Sequence, residues 1–108
     1  MKEEKKVNKI KRKLMNAGPM LPGSISKQYN VCGTPGCKCK DPKHPVKHGP
    51  YYQLSFSISG RNSSFFIKRE DLREAKKRIR EYKRFKQTVI ELTKAYIDLT
   101  RKEGFQKR

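Results

Sequence analysis

From Arg69 to Glu103 the chain contains no glycine and no proline, and its apolar residues recur at Leu72, Ala75, Ile79, Tyr82, Phe85, Val89, Leu92, Tyr96 and Leu99, always three or four apart. That spacing puts them on one face of an α-helix. Glu70 and Asp71 stand in the first turn, where negative charge suits the helix dipole, and Gly104 supplies a stop. At 1.5 Å per residue such a helix runs about 50 Å. So long a rod in a chain of 108 residues constrains everything else, because the remainder must cover it. A small sheet of ordinary strands is too short to do so alone. The stripe from Val89 to Leu99, with Ile90 and Ile97 beside it, is therefore expected to be buried against something else. A second helix of the same chain can serve, and so can a second copy, which would make a homodimer through the C-terminal half of the long helix.

The N-terminus offers that second helix. Residues 1–16 carry Val7, Ile10 and Leu14 at helical spacing with Met15 beside them, and basic residues fill the other faces. Asn16-Ala17-Gly18-Pro19 should end it, with Gly18 free to take a left-handed cap and Pro19 unable to continue. Residues 17–24 read as a linker, and 25–108 as a sheet plus the long basic helix. Between them lie three strand candidates. In residues 25–31, Ile25, Lys27, Tyr29 and Val31 share one parity. In 51–59, Tyr52, Leu54, Phe56 and Ile58 alternate with Tyr51, Gln53, Ser55, Ser57 and Ser59. Gly60-Arg61-Asn62 has turn chemistry, and the next run continues the apolar face with Phe65 and Ile67 and the polar one with Ser64 and Phe66. The expected fold class is α+β: a β-hairpin plus one strand in a small antiparallel sheet, a metal-tied loop, and a helix at each end.

All three cysteines and both histidines fall between residues 32 and 48. A zinc ion takes four thiolate or imidazole donors tetrahedrally, and Gly33, Pro35 and Gly36 suit a tight turn between Cys32 and Cys37. Cys32, Cys37 and Cys39 with one histidine would close a structural site. His48 is favoured as the fourth donor over His44, because Gly49-Pro50 and the following strand would anchor it. The competing possibility is that the cysteines are small apolar fillers. A loop otherwise made of Lys, Gly, Pro, Asp and His is poor core material, however, and hydrophobic residues make up only 33% of a chain without tryptophan, a composition that calls for a staple. Asp41 is the only acid near the cysteines in sequence, and no nucleophile, base and orienting group stand together, so no catalytic role is expected.

The run Cys32-Gly33-Thr34-Pro35-Gly36-Cys37-Lys38-Cys39, followed by His48-Gly49-Pro50-Tyr51, a polar hairpin and a long basic helix, resembles a family of small uncharacterised prokaryotic proteins. Its motif is Cys-Gly-x-Pro-x-Cys-x-Cys, a spacer, then His-Gly-Pro-Tyr. The resemblance spans about Gly23 to Leu99 and implies Cys32, Cys37, Cys39 and His48 as one constellation. It implies no activity.

Charge points to the partner. The formal net charge is +18, from 28 basic and 10 acidic residues. An excess on that scale favours a polyanion. Arg73, Lys77, Arg80 and Arg84, three to four apart, would form one stripe beside the apolar face of the long helix. Tyr51 and Gln53 would face outward from the sheet, and Arg61 stands at the hairpin turn. Together these residues make the candidate nucleic-acid surface, for DNA somewhat more than RNA: the basic stripe for phosphates, the polar aromatic sheet face for bases. The alternative is a zinc-stabilised interaction module that docks on a larger complex through its long helix. No apolar run approaches the about 20 residues of a membrane span. The basic N-terminus lacks the apolar core of a secretory signal, and an odd cysteine count does not close a disulfide framework. The sequence is thus expected to be that of a cytoplasmic protein.

Overall fold

The computed structural model describes residues 2–30, 35–43 and 46–105. Its elements in chain order are α1 (Lys2–Met15), β1 (Ser24–Asn30), a 3-10 turn (Lys38–Lys40), β2 (His48–Ile58), β3 (Arg61–Ile67), a second 3-10 turn (Arg69–Asp71) and α2 (Leu72–Glu103). This is the expected α+β architecture, an antiparallel sheet in the order β1-β2-β3 with a helix at either end. The chain divides into two compact units, Met1–Leu21 with Arg80–Arg108, and Pro22–Ile79, so α2 contributes to both.

In the sheet unit the alternating sequence sets the faces. Leu54 of β2 pairs with Ile25 on one side and Phe65 on the other, and Tyr52 pairs with Lys27 and Ile67. One face is therefore the apolar one. Leu54 and Cys39 are fully buried, and Ile67 and Ala75 of α2 are buried in the same unit. Burial of a leucine on this scale contributes about 2 kcal/mol. The strands outrun that core toward the hairpin tip, where Ile58 and Phe65 are half exposed and Phe65 makes an edge-on ring contact with Phe56.

The hairpin turn is Ser59-Gly60, with φ of 51° and 77°. Positive φ at both central residues is the turn whose twist matches the flanking strands, and glycine takes it at no steric cost. The expected turn, Gly60-Arg61-Asn62, is thus displaced: Arg61 and Asn62 already pair with Ile58 and Ser57.

In the helical unit, Val7 and Ile10 of α1 form a core with Ala95 and Leu99 of α2, and Leu92 packs against it. The expectation for α2 is corrected in one respect. Val89, Ile90, Tyr96 and Ile97 are 38–47% exposed, whereas Thr88, Ala95 and Leu99 are buried. The core face runs one residue to the side of the bulkiest line. Small side chains at 88 and 95 let the helix backbone approach its neighbours more closely than bulky ones would. The Thr88 hydroxyl, buried with its helix, donates to the carbonyl of Arg84 at 2.9 Å, which removes the cost of an unpaired polar group. Glu3 of α1 and Lys102 of α2 make an ion pair.

The ends of the helices follow local chemistry. Gly18 does not have a positive φ. The end of α1 is closed earlier, by the amides of Asn16 and Ala17, which donate to the carbonyls of Arg12 and Leu14. At the other end of the chain the amide of Gly104 donates to the carbonyl of Thr100 at 2.8 Å, which terminates α2 where expected. Among the described residues no helix is long and apolar enough to cross a membrane.

Candidate metal centre and sheet face

The connection between β1 and β2 carries the metal-ligand candidates, and local backbone bonds shape it. Cys37 is extended, with φ −68° and ψ 145°, and its carbonyl accepts from the amide of Lys40. That bond folds Lys38–Lys40 into a 3-10 turn and turns Cys39 inward, where it is 2% exposed. The amide of Val46 returns to the Lys38 carbonyl at 3.0 Å. Asp41 accepts from the amide of Lys43 at 2.9 Å, the side-chain turn that aspartate favours in loops.

His48 opens β2 and pairs with Asn30, the last residue of β1. The ladder shifts register between Gln28 and Asn30. Gly49 lies at this irregularity with φ 133°, and a Cβ there would stand 2.7 Å from the Gln28 carbonyl oxygen. Only glycine lets the two strands approach so closely beside the histidine.

The result is a cluster. The donor atoms of Cys37, Cys39 and His48 all lie within 4.8 Å of one another, and Cys37 Sγ is 3.1 Å from His48 Nε2. Two sulfurs and an imidazole nitrogen at these separations fit an ion between them, since bonds of about 2.3 Å to sulfur and 2.0 Å to nitrogen place tetrahedral donors under 4 Å apart. Cys39 is buried while Cys37 and His48 are half-buried, so the donors are held rather than dangling. The structure brings together three of the four donors expected from sequence. The fourth, Cys32, and the alternative histidine, His44, lie outside the described residues.

The nucleic-acid candidates divide among different surfaces. Tyr51 and Gln53 project from the polar face of the sheet. Tyr51 is 43% exposed and makes an edge-on contact with Phe66, ring centroids 6.4 Å apart. Gln53 sits in a relay of side chains across all three strands: its Oε1 accepts from Gln28 Nε2 at 2.6 Å, and its Nε2 donates to Ser64 Oγ at 3.0 Å. Gln28 Nε2 also donates to Ser26 Oγ at 3.3 Å. Cross-strand registry puts Ser24, Ser55 and Ser64 in one row and Ser26, Gln53 and Phe66 in the next. From Ser24 to Gln28 on β1, Tyr51 to Ser57 on β2 and Asn62 to Phe66 on β3, this face presents no charged side chain. Gln28 is the part of the relay that sequence reasoning did not single out, although its parity in β1 matched that of Ser26.

Arg61 does not belong to this face. It pairs with Ile58 and shares parity with Phe65 and Ile67, so it sits on the apolar side at the hairpin tip. The helical stripe is partly as expected. Arg73, Lys77, Arg80 and Arg84 are all exposed on α2, but Arg84 is engaged by Glu81, its Nε donating to Oε1 at 2.9 Å. Among the described residues no carboxylate pairs with Arg73, Lys77 or Arg80.

The fold and the cluster define a small basic α+β chain with a cysteine–histidine cluster at the base of its sheet. It belongs to the family described as Domain of unknown function (DUF6788), which matches residues 1–81. The match takes in α1 and ends within α2. No curated protein and no solved structure matches the chain.

Proposed function

We propose that this chain is a non-catalytic nucleic-acid-binding protein, of DNA somewhat more than RNA, whose sheet is tied by one structural zinc ion. Cys37, Cys39 and His48 would supply three donors. Cys32 follows Asn30, the strand partner of His48, by two residues, and completes the proposed set. A closed set of four protein donors leaves no position for substrate, and zinc held this way supplies folding energy rather than chemistry.

The observation that carries the nucleic-acid reading is the contrast between the sheet face and the rest of the surface. A chain with net charge +18 keeps one face free of charge and gives it an aromatic pair and an ordered amide relay. Phosphate binding needs cations and base recognition does not. The division of labour therefore matches backbone contact by Arg73, Lys77 and Arg80 and base contact by Tyr51, Gln53, Gln28 and Phe66. The relay also supports the reading energetically. Gln28 and Gln53 are already oriented by hydrogen bonds to each other, so less side-chain entropy is lost when a base edge meets them.

The test is fluorescence anisotropy with matched duplex, single-stranded and hairpin RNA probes across a salt series. The reading expects binding at low salt that weakens steeply as salt rises. Weak binding to every probe at low salt overturns it.

A further inference from the structure

The helical unit carries a surface that neither the metal nor the nucleic-acid reading uses. Val89, Ile90, Thr93, Tyr96, Ile97 and Thr100 fall within about a third of the circumference of α2, at 3.6 residues per turn. The four larger ones are 38–47% exposed although they lie beside a formed core. The two threonines add to the apolar character. Thr93 donates its hydroxyl to the Val89 carbonyl at 2.9 Å, and Thr100 donates to the Tyr96 carbonyl at 2.7 Å. Each hydroxyl is spent within its own helix, which leaves the methyl as the group to meet a partner. No charged residue enters this sector between Val89 and Thr100, in a chain where 35% of residues are charged.

The borders decide the occupant. Lys94 and Arg101 flank the sector on one side, and Lys86 precedes it by one turn. On the other side Lys11 of α1 stands 5.5 Å from the centre of the Tyr96 ring. The Lys94–Arg101 edge is cationic, whereas the Tyr96 edge is mixed, with Glu4 of α1 beside Lys11 and Glu103 one turn beyond Thr100. A second copy laid antiparallel on the stripe, with Ile90 against Ile97, would bring Lys86 of one chain beside Arg101 of the other and set two strongly basic chains together. An apolar strip with a basic rim along the Lys94–Arg101 edge fits a helix of complementary design: apolar residues at i, i+3, i+4 and i+7, with Asp and Glu along the flank that meets Lys86, Lys94 and Arg101.

We propose that α2 docks an acidic amphipathic helix of another protein on the face formed by Val89, Ile90, Thr93, Tyr96, Ile97 and Thr100. The ligand is a protein segment, and the site is independent of the sheet face. Its success or failure therefore leaves the nucleic-acid reading standing or falling on its own test.

The experiment is selection from a displayed library of helical peptides of about 18 residues, five turns, against the full chain. Binding of the selected peptides is then compared with an Ile90→Gln/Ile97→Gln variant. Glutamine is a good helix former, and both positions are half exposed, so the fold is retained; an unchanged melting curve checks this. The expected result is enrichment of peptides with apolar residues at helical spacing and an acidic flank, with affinity lost roughly tenfold per isoleucine removed. Lys94→Gln and Arg101→Gln should weaken binding less, and only at low salt. Binding to nucleic acid should be unchanged in all of these variants. Three results overturn the proposal: no enrichment; acidic peptides without periodicity that bind the variant equally well; or a dimer in sedimentation that the Ile90→Gln/Ile97→Gln change dissolves, which would assign the stripe to a second copy.

Discussion

Cys37 Sγ and His48 Nε2 stand 3.1 Å apart although they are eleven positions apart in sequence. At that distance a thiol and an imidazole share a proton, and a metal that binds both must displace it. The pair is thus a close contact that could also form two corners of a metal site. About one zinc per chain is expected by elemental analysis of protein prepared without added metal. Cys37→Ser or His48→Ala should strip it and lower the melting temperature by on the order of 15 °C. His44→Ala should do neither. Metal-free protein of unchanged stability would remove the metal from the account.

Gly49 is the second support of that site. A Cβ placed there meets the Gln28 carbonyl oxygen at 2.7 Å, and the backbone already has a φ of 133°. Gly49→Ala should destabilise the chain by about 1–3 kcal/mol in denaturant unfolding. It should also weaken zinc in a chelator competition, because His48 is its neighbour. Full stability with weakened metal would show that the strain is borne by the loop alone.

The Glu3–Lys102 ion pair predicts a pH dependence of the helical unit. The hydrogen bond from Lys102 holds the Glu3 carboxyl below its ordinary value of 4.5, and the bond to Glu3 raises Lys102 above its ordinary 10.5. Glu3 therefore contributes stability that is present above its unfolded value and is lost as pH falls through its lower folded one. Lys102 contributes stability that is present below 10.5 and is lost as pH rises through its higher folded value. Both groups are at the surface, so the effect is small. Melting curves of the wild type and Glu3→Gln should converge in acid and differ between the two limits. Parallel curves across the whole range would show that the pair is without thermodynamic consequence.

Two isoleucines separate core from surface in the same unit. Ile10 is 6% exposed and Ile97 47% exposed. Ile10→Ala should cost about 2–5 kcal/mol, whereas Ile97→Gln should fall within about 0.5 kcal/mol of the wild type. Deleting residues 1–16 uncovers Ala95 and Leu99 and should cause aggregation or a change of oligomeric state in sedimentation. A truncated chain that remains monomeric and equally stable would contradict the packing of α1 on α2.

Salt dependence distinguishes the cationic stripe from the sheet face. If about six phosphates are neutralised, log K against log salt should have a slope of roughly −5 on duplex DNA. Replacing Lys77 and Arg80 by alanine should lower affinity on all sequences alike and flatten the slope by about two. Arg84→Ala should matter less, since Glu81 already engages it. Tyr51→Ala and Gln53→Ala should leave the slope nearly unchanged and reduce discrimination among probes. A Tyr51→Ala protein with unchanged preferences would exclude the sheet face from readout.

What the sequence made legible was what periodicity controls. Strict alternation in β2 put Leu54 inside and Gln53 outside, and three- and four-residue spacing set the long helix and its pairing with Val7 and Ile10. Periodicity gives direction only to within about one residue. It could not tell whether Val89 and Tyr96 or their neighbours Thr88 and Ala95 would face α1. That choice rests on how closely two helix axes can approach, a property of the pair and not of either helix. The turn failed for a related reason. Gly60-Arg61-Asn62 has the composition of a turn, but the register between Ile58 and Arg61 is settled by strand twist, which selects Ser59-Gly60. Once the register is fixed, Arg61 falls on the apolar side, where turn chemistry alone could not place it. Of the candidate metal site, the residue types were visible, but the meeting of Cys37 with His48 depends on the backbone bonds of the connecting loop, which periodicity does not describe.

The pairing of Asn30 with His48 also bears on the loop between them. β2 and β3 are joined by a two-residue turn and form a hairpin on their own account, whereas β1 returns to β2 through the whole of residues 31–47. Closing so long a connection costs entropy that a tight turn avoids. A metal bound within it acts as a clasp on an edge strand. Chelation should accordingly release β1 and leave the hairpin in place. The inner edge of β2 would then lie open, with its backbone donors and acceptors unpaired, and an open edge recruits strands from other chains. If the proposed metal is bound, its loss should therefore make the protein adhesive before its helices are lost.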